Sequence, residues 1–501
     1  MFNKGFEEPR RQEMLGVLIM LADNIRKIVR ILFGFIALAV VQPQVMAYLK
    51  WVALGVLILV IAFTIIQFRK FVFYVADGEL ILEKGVFIKD RLAIPFDRIQ
   101  TVNINQNLIQ QLVQLSGVKI DTAGSGKEEL EIKALSKADA EALKELLQSE
   151  REKIITVEDE SVIQDENASD QKEIKNKRKP LVALSFKQLL IVGITENHIR
   201  SGLLSFALLW GYGSQYAELI GEEIESRSVE IGKEVIQAGW QALMFFIITF
   251  LIVSVLTSLA RVLLQFFNLE AVLEGNKLWV KSGLLKRVEN TIPLTKIQFI
   301  EWHDNLLRRM LGFQSLKVFQ SKSEDRTKKS VEIPACFPEQ EEVVMSSLYP
   351  EMSDDSLVLK TSSNIHFARV LIIAYSIPVL VLSGIFASAS IYLGLASFLL
   401  LTILNVYLSS SFVKAISLDL GKQFLVYKRG FLFRKKTVLP LFKGQTVSIR
   451  QSPFTKRRKL AHLTFSTASG NRSVRYLPIE DAQKVYNYLL VQIERAEKSW
   501  M

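Results

Sequence analysis

The chain has 501 residues, of which 50% are hydrophobic and 23% are charged. That length predicts about three units and not one compact domain, and the composition is typical neither of a disordered tail nor of an ordinary soluble enzyme. Sixty-two Lys and Arg against 51 Asp and Glu give a net charge of +11, which suits phosphate-bearing partners or cytoplasmic retention of loops. The single cysteine, Cys336, excludes an intramolecular disulfide and a zinc cluster built on cysteines.

Apolar segments nearly free of charged residues recur in three pairs. About 20 residues of α-helix cross the roughly 30 Å hydrocarbon layer of a bilayer, and each pair is long enough for two crossings. The turn-like Gln42-Pro43-Gln44 interrupts the first pair, and the small residues Ala387-Ser388-Ala389-Ser390 interrupt the third. We therefore predict six transmembrane helices in three hairpins, in residues 31–68, 201–217 with 237–260, and 370–413.

Lys and Arg residues flank the outer ends of each predicted hairpin, whereas the loop inside the second hairpin is acidic. Basic flanks remain in the cytoplasm by the positive-inside rule. The pattern predicts a multi-pass protein of the cell (cytoplasmic) membrane, with both termini and the long regions between hairpins in the cytoplasm. The flanking bases are Arg26, Lys27, Arg30, Arg69, Lys70, Arg200, Arg261, Lys360, Arg369 and Lys414.

The same motif follows every predicted hairpin. A glycine is followed ten residues later by a proline, and the proline is followed five residues later by a glutamine. Two matching spacings in three places indicate an internal repeat. The signature residues are Gly85, Pro95 and Gln100 in the first copy, Gly283, Pro293 and Gln298 in the second, and Gly430, Pro440 and Gln445 in the third.

Each copy of the repeat combines alternating apolar and polar segments with one helix-like segment at its end. Alternation with period two predicts half-buried strands, and each signature glycine lies where one strand reverses into the next. We expect each signature glutamine to bond strand backbone. The closing helices are expected at Ser136–Gln148, Pro338–Leu348 and Pro478–Glu494, which predicts a small antiparallel β-barrel capped by a C-terminal helix.

This order of elements resembles the bacterial PH-like (bPH type 2) membrane protein family of the YdbT type. The resemblance covers nearly the whole chain except the N-terminal dozen residues and the linker defined below. It implies an α+β integral membrane protein with three tandem cytoplasmic PH-like domains that often pairs with a smaller one-unit PH-like relative. Self-association is the other partner that we expect, because three equivalent units can pack about a common axis. Its motif carries no catalytic residues, so the resemblance implies a fold more strongly than a function.

The repeat and the composition together predict the domain boundaries. Residues 150–179 are rich in Glu, Asp, Lys, Asn and Ser and contain no aromatic residue, as flexible linkers do. The predicted segments are 1–70 for the N-terminal segment and first hairpin, 71–150 for the first PH-like domain, 151–180 for the linker, 181–266 for the second hairpin with its acidic extracytoplasmic loop, 267–350 for the second PH-like domain, 351–413 for the third hairpin, and 414–501 for the third PH-like domain.

No catalytic, cofactor or metal motif satisfies its own spacing rule. Gly124-Ser125-Gly126-Lys127 lacks the spacing and the following hydroxyl residue of a phosphate loop, so a hairpin tip explains it better. The histidines show no metal-ligand spacing, and Cys336 is expected to be a buried side chain. We therefore expect a non-enzymatic protein without cofactor or metal. Nucleic-acid binding is not expected either, because no recognition motif accompanies the bases.

The strongest polar feature is the density of bases in the third copy. Clusters of Lys and Arg just beneath a membrane attract anionic lipid, and PH barrels of eukaryotes bind phosphoinositides at the hairpin that these bases occupy here, an analogy of fold alone. Topology alone would also explain such bases. The candidate lipid-contacting residues are Lys428, Arg429, Arg434, Lys435 and Lys436.

The preferred interpretation is a non-enzymatic scaffold or assembly protein of the cytoplasmic membrane that acts through protein and anionic-lipid contacts of its PH-like domains. The alternative is an envelope-defence component that handles lipid or amphipathic peptides and needs a polar path between hairpins. Candidates to line such a path are Gln42, Gln44, Gln237 and Gln241, for which helix packing is an equally good explanation.

Overall fold

The computed structural model describes residues 6–41, 43–122, 130–159, 180–196, 198, 202–203, 240–321, 330–352 and 355–495. These residues belong to two compact units. Unit 1 comprises residues 1–178 and 281–291, and unit 2 comprises residues 179–280 and 292–501.

The helices and strands follow the repeat in chain order. The first copy contains α1 (Gly16–Val41), α2 (Pro43–Lys70), β1 (Val72–Ala76), β2 (Glu79–Lys84), β3 (Asp90–Pro95), β4 (Ile99–Gln106), α3 (Leu108–Leu112), β5 (Leu115–Thr122), β6 (Leu130–Ser136) and α4 (Lys137–Asp159). The second contains β7 (Val182–Ala183), α5 (Phe186–Ile194), α6 (Trp240–Phe266), β8 (Glu270–Glu274), β9 (Lys277–Ser282), β10 (Arg287–Pro293), β11 (Ile297–Asp304), α7 (Leu306–Met310), β12 (Gln314–Gln320), β13 (Ser330–Cys336) and α8 (Pro338–Leu348). The third contains β14 (Leu357–Ser362), α9 (His366–Ala389), α10 (Ile391–Lys414), β15 (Ser417–Gly421), β16 (Phe424–Arg429), β17 (Arg434–Pro440), β18 (Thr446–Arg450), α11 (Pro453–Arg457), β19 (Leu460–Thr467), β20 (Gly470–Pro478) and α12 (Ile479–Glu494).

Within the described residues, four helices are long and apolar enough to cross a membrane. Both helices of the third predicted hairpin are described, since α9 ends at Ala389 and α10 begins at Ile391, at the predicted small-residue turn. In the first pair, α1 ends and α2 begins on either side of residue 42. The four spans are Trp51–Lys70, Ile247–Phe266, His366–Ser388 and Ile391–Lys414.

The remaining parts of the predicted second hairpin lie outside the described residues. They comprise residues 204–217 and the acidic loop before α6, together with Gln237 of the proposed polar path; Gln42 lies outside the described residues as well. The count of six crossings therefore stays a prediction.

The strands of each copy are divided between two sheets. In unit 1, β1, β2 and β3 form one antiparallel sheet, while β4, β5 and β6 belong to another. The free side of β4 pairs with Arg287 and Val288 of β10, which belong to the same unit.

Unit 2 contains a seven-stranded antiparallel sheet that two copies build together. Its strand order is β13-β12-β11-β17-β16-β15-β14, and a smaller sheet has the order β18-β19-β20. In this sheet β11 of the second copy pairs with β17 of the third, so that Ile300 lies opposite Val438 and Asp304 opposite Arg434.

The prediction of a closed β-barrel in each copy is wrong for the strands that the structure describes, which form open sheets. A 3₁₀ turn follows each signature proline, at Phe96–Arg98, Leu294–Lys296 and Leu441–Lys443. The turn redirects the chain, so the strand after it does not pair with the strand before it. It pairs instead with a strand of the next copy, as β4 and β11 do.

The apolar cores of unit 2 cross the boundary between copies. Phe424 and Val438 of the third copy are buried in the cluster built mainly from the second copy. Conversely, Phe299 of the second copy is fully buried in the cluster of the third, where its ring stacks on Phe319 with centroids 4.4 Å apart. The second and third copies therefore stabilise each other through shared cores.

The terminal helices of the second and third copies match the predicted segments, and that of the first copy begins as predicted. Ser136 and Asp139 form the predicted N-terminal contact, since the Asp139 backbone N–H donates to Ser136 Oγ at 3.0 Å. Helix α4 continues to Asp159 and so extends beyond the predicted end at Gln148. The sequence there is rich in good helix formers such as Glu, Arg and Lys.

The signature glutamines occupy different environments. Gln298 is buried, Gln100 is half-buried and Gln445 is exposed. A repeated bond from side chain to strand backbone is made by two other glutamines: Gln106 Nε2 donates to Leu115 O at 2.7 Å, and Gln451 Nε2 donates to Leu460 O at 2.8 Å.

The signature glycines have the positive φ that the sequence predicts. Gly430 has φ +90°, and a Cβ at this position would lie 2.0 Å from Phe433 O. Gly85 and Gly283 have φ values of +117° and +114°, with added Cβ atoms 1.8 and 1.9 Å from the carbonyl oxygens of Ile88 and Lys286. Glycine is therefore required by both the backbone angle and the space.

We expect Gly430→Ala to lower the free energy of unfolding by about 1–3 kcal/mol or more, because the alanine meets both an unfavourable φ and the Phe433 carbonyl. Gly470→Ala is the matched control, because Gly470 has φ +125° with no atom within 4 Å of an added Cβ. Denaturant unfolding in detergent measures both. Equal losses would show that the close contact at Gly430 contributes nothing.

Candidate functional site

The five predicted basic residues line one cavity of about 410 Å³ in unit 2. The cavity lies where the β16–β17 hairpin meets β11, so the second copy also contributes to its wall. Its lining residues are Trp302, Asp304, Gln314, Ala415, Lys428, Arg429, Gly430, Phe431, Arg434, Lys435 and Lys436.

Strand register brings the bases together. Lys428 on β16 lies opposite Lys436 on β17, and Lys436 lies opposite Trp302 on β11. Arg429 lies opposite Lys435 in the same hairpin. Directly opposite residues have Cβ atoms about 4.5–5.5 Å apart, so the hairpin concentrates positive charge at its end.

The three lysines of the site have carboxylate partners. Lys428 Nζ lies 2.9 Å from Asp419, Lys436 Nζ lies 3.5 Å from Glu341, and Lys435 Nζ lies 3.8 Å from Glu301. Burial lowers the pKa of Lys435, with further lowering by neighbouring bases that include Arg429, while Glu301 acts in the opposite direction. Part of the positive charge of the lysines is therefore neutralised within the protein.

The two arginines differ from the lysines. Arg429 is half-buried and its guanidinium lies 6.0 Å from the centre of the Tyr427 ring. Arg434 is exposed and forms no ion pair with any residue that the structure describes. A guanidinium can bind a phosphate through two parallel hydrogen bonds. Arg429 and Arg434 are therefore the groups of this site best suited to an anionic ligand.

A buried carboxylate supports the wall of the cavity from behind. Glu301 on β11 is 3% exposed and lies 2.9 Å from both His303 Nε2 and Arg472 Nη2. Burial alone raises the pKa of Glu301, but the contact with His303 and the charges of Arg472 and Lys435 outweigh it and hold the pKa at about 2. Glu301 is therefore ionised at neutral pH and ties β11 to the third copy.

The cavity lies at the end of a transmembrane helix. Ala415, which lines it, directly follows α10, and β15 begins two residues later. The tip of the basic hairpin also contacts this helix, since the rings of Phe431 and Tyr407 are 5.9 Å apart in an edge-on arrangement. The cavity is therefore adjacent to the end of an apolar span, where the interfacial region of a bilayer would begin.

A similar contact occurs in the first copy. Phe87, at the tip of the β2–β3 hairpin, is 90% exposed and stacks on Phe63 of α2 with ring centroids 6.5 Å apart. The hairpin tips Val86-Phe87-Ile88 and Phe431-Leu432-Phe433 are apolar and are each followed by a base. Apolar tips beside a span favour contact with the membrane surface.

Sequence reasoning identified the five bases but not Trp302, Asp304 and Gln314, which belong to the second copy. These residues are more than 100 positions away from the hairpin in the chain. They carry no motif of their own, and only the pairing of β11 with β17 brings them to the cavity.

The described residues show no group of three or more His, Cys, Asp or Glu side chains that could hold a metal ion. Cys336 is buried, as expected, and burial raises the pKa of its thiol.

We expect Glu301→Gln to lower the free energy of unfolding by about 1.5–3 kcal/mol at pH 7, because it removes a charged partner of Arg472 and Lys435. The folded-state pKa of Glu301 is lowered from 4.5 to about 2. Its charge therefore stabilises fully above pH 4.5, and the stabilisation is lost as the pH falls towards 2. Denaturant unfolding in detergent between pH 7 and pH 3 should show the difference between wild type and variant shrinking.

Glu332→Gln is the matched control for this prediction. Glu332 pairs with Lys317 at 3.4 Å, but both side chains are about 30% exposed, so the loss should stay below about 1 kcal/mol. A loss for Glu301→Gln that equals that of Glu332→Gln, or that does not change with pH, would contradict the assigned role.

The chain is similar to a known protein family and to a known transmembrane protein. The sequence matches the family described as Bacterial PH domain three times, at residues 28–151, 224–350 and 368–492. It is also 27% identical over 338 residues to the UPF0699 transmembrane protein YdbT of Bacillus subtilis (strain 168), and the aligned region spans 66% of each chain. The three matches confirm the resemblance and the three tandem copies predicted from the Gly-Pro-Gln spacing.

Proposed function

Because the chain belongs to the Bacterial PH domain family, we propose that it is a non-enzymatic scaffold of the cell membrane that binds anionic lipid through its third PH-like copy and assembles through its sheets. In this proposal the chain crosses the membrane six times, and both termini and all three PH-like copies lie in the cytoplasm. The basic flanks of the spans support that orientation.

The observation that carries the lipid contact is the position of the basic cavity directly after α10. A lipid phosphate at that depth is within reach of Arg429 and Arg434, whereas the three lysines are already paired with carboxylates. Each base close to an anionic leaflet contributes about 1 kcal/mol of attraction. Two arginines without a carboxylate partner among the described residues would therefore favour anionic over zwitterionic lipid.

The scaffold part of the proposal is supported by how the copies are joined. Strand pairing between copies builds one sheet from two repeats, and the shared cores leave neither copy complete alone. Sheets that extend by adding a strand at an edge are suited to assembly.

We expect the full chain, purified in a neutral detergent, to retain phosphatidylglycerol in preference to phosphatidylcholine in native mass spectrometry. Replacing both arginines (Arg429→Gln with Arg434→Gln) should weaken phosphatidylglycerol binding about tenfold to thirtyfold, since two contributions of about 1 kcal/mol each are lost. The full chain is required because the third copy shares its sheet and core with the second.

The matched control replaces two bases of the same copy outside the cavity, Lys456→Gln with Arg457→Gln, which are both exposed on α11. Phosphatidylglycerol binding should stay within twofold of wild type there. An equal loss of phosphatidylglycerol binding in both variants would show only a general effect of net charge, and would contradict binding at this cavity. Displacement of the lipid by inorganic phosphate at equal concentration would identify the ligand as a soluble anion and overturn the lipid contact.

A further inference from the structure

The two pairings between copies use the same register. In unit 1, Gln106 of β4 lies opposite Arg287 of β10. In unit 2, Asp304 of β11 lies opposite Arg434 of β17. In both cases a residue six positions after the signature glutamine faces a residue six positions before the next signature proline. The repeat therefore encodes one type of joint with a fixed register.

Each joint uses two kinds of strand edge. We call the edge of the strand after the signature glutamine (β4 and β11) the donor edge, a name that does not refer to hydrogen bonding. The acceptor edge precedes the signature proline and belongs to β10 and β17. Three copies in one chain contain three edges of each kind, and the strands that the structure describes form two joints, so one described edge of each kind remains.

The two remaining edges are the donor β18 of the third copy and the acceptor β3 of the first copy. Each is the outermost strand of a three-stranded sheet, and within the described residues neither has a second partner strand. Both present exposed residues: Asp90 and Ala93 on β3, and Thr446 and Arg450 on β18. An open edge of this kind is a template for pairing with another strand.

We propose that β18 of one molecule pairs with β3 of a second copy of this chain, in the register of the internal joints. The inference deepens the assembly function proposed above and rests on it. A second copy is the occupant that the chain itself supplies, because it carries both edges of the joint. The contact is head to tail and produces rings or filaments in the membrane plane.

The fixed register specifies which residues meet. Counting from Gln445 and Pro95, Arg450 lies opposite Asp90, and Val447 lies opposite Ala93. Opposite charges thus face each other in the proposed joint, as Asp304 and Arg434 do in the internal one. Such cross-strand pairs favour the register, and like charges in the same places disfavour it.

The bilayer is compatible with this contact. The pairing of β11 with β17 joins two copies that each contain helices long and apolar enough to cross a membrane, and in the proposed topology these helices share one bilayer. An intermolecular joint of the same register and strand direction therefore keeps the next molecule in that membrane.

Cysteine crosslinking of the full chain in native membranes tests the joint. Ala93→Cys in a chain with one tag and Val447→Cys in a chain with another tag should form a disulfide-linked dimer when the two are co-expressed and oxidised. The Cα atoms of bridged residues lie within about 7 Å. The matched control pairs Ala93→Cys with Arg450→Cys, which is three residues or about 10 Å out of register and should give no dimer. Cys336 is buried and present in every variant.

Charge exchange provides a second measurement with the same crosslink. Asp90→Arg places like charges opposite each other and should lower the yield of dimer about twofold to fivefold, and adding Arg450→Asp should restore it. The variant with Arg429→Gln and Arg434→Gln should crosslink as wild type does, so failure of lipid binding and failure of the joint are separable.

Three results would overturn the proposal. A chain that carries both Ala93→Cys and Val447→Cys should give a ladder of disulfide-linked oligomers. If this chain gives only a cyclised monomer, the two edges pair within one molecule. A mixed-tag dimer of equal yield in the out-of-register control would show random collision. A crosslink of the Val447→Cys chain only to a smaller single-copy protein would assign the edge to a different partner.

Discussion

The pairing of β11 with β17 is the contact on which the second and third copies depend. It joins strands from two repeats into one sheet, places Phe299 in the core of the third copy and holds Glu301 between His303 and Arg472. A carboxylate this deeply buried is tolerated only because charged partners surround it. Loss of the pairing would therefore uncover apolar surface and leave a buried charge without its partner across the joint.

The basic cavity exists because of the same pairing. The hairpin of β16 and β17 supplies the bases, while β11 supplies Trp302 and Asp304 opposite them. Carboxylates from both copies neutralise the lysines and leave the arginines as the groups that can bind an anion. Architecture and proposed binding are thus coupled: one strand contact stabilises the sheet and completes the wall of the cavity.

Local features of the fold could be predicted from the sequence, and the partners of its strands could not. The turn at Ser390, the glycine bends and the terminal helices follow from short-range rules on apolar length, φ angles and helix termini. The barrel prediction was wrong because alternation identifies a strand but not its neighbour, and β11 pairs with a strand over 130 residues away. The same reason explains why the five bases were found and Trp302 was not.

The distance from glycine to proline sets which side of the sheet each residue of the acceptor strand faces. Side chains alternate along a strand, so one inserted residue between Gly430 and Pro440 would exchange the two faces of the strand beyond it. Lys435, which pairs with Glu301, would then face the opposite side of the sheet. An adjacent residue such as Lys436, which now pairs with Glu341, would face Glu301 instead. The ten-residue interval between glycine and proline thus determines which face of the sheet each side chain occupies, and the interval is the same in all three copies.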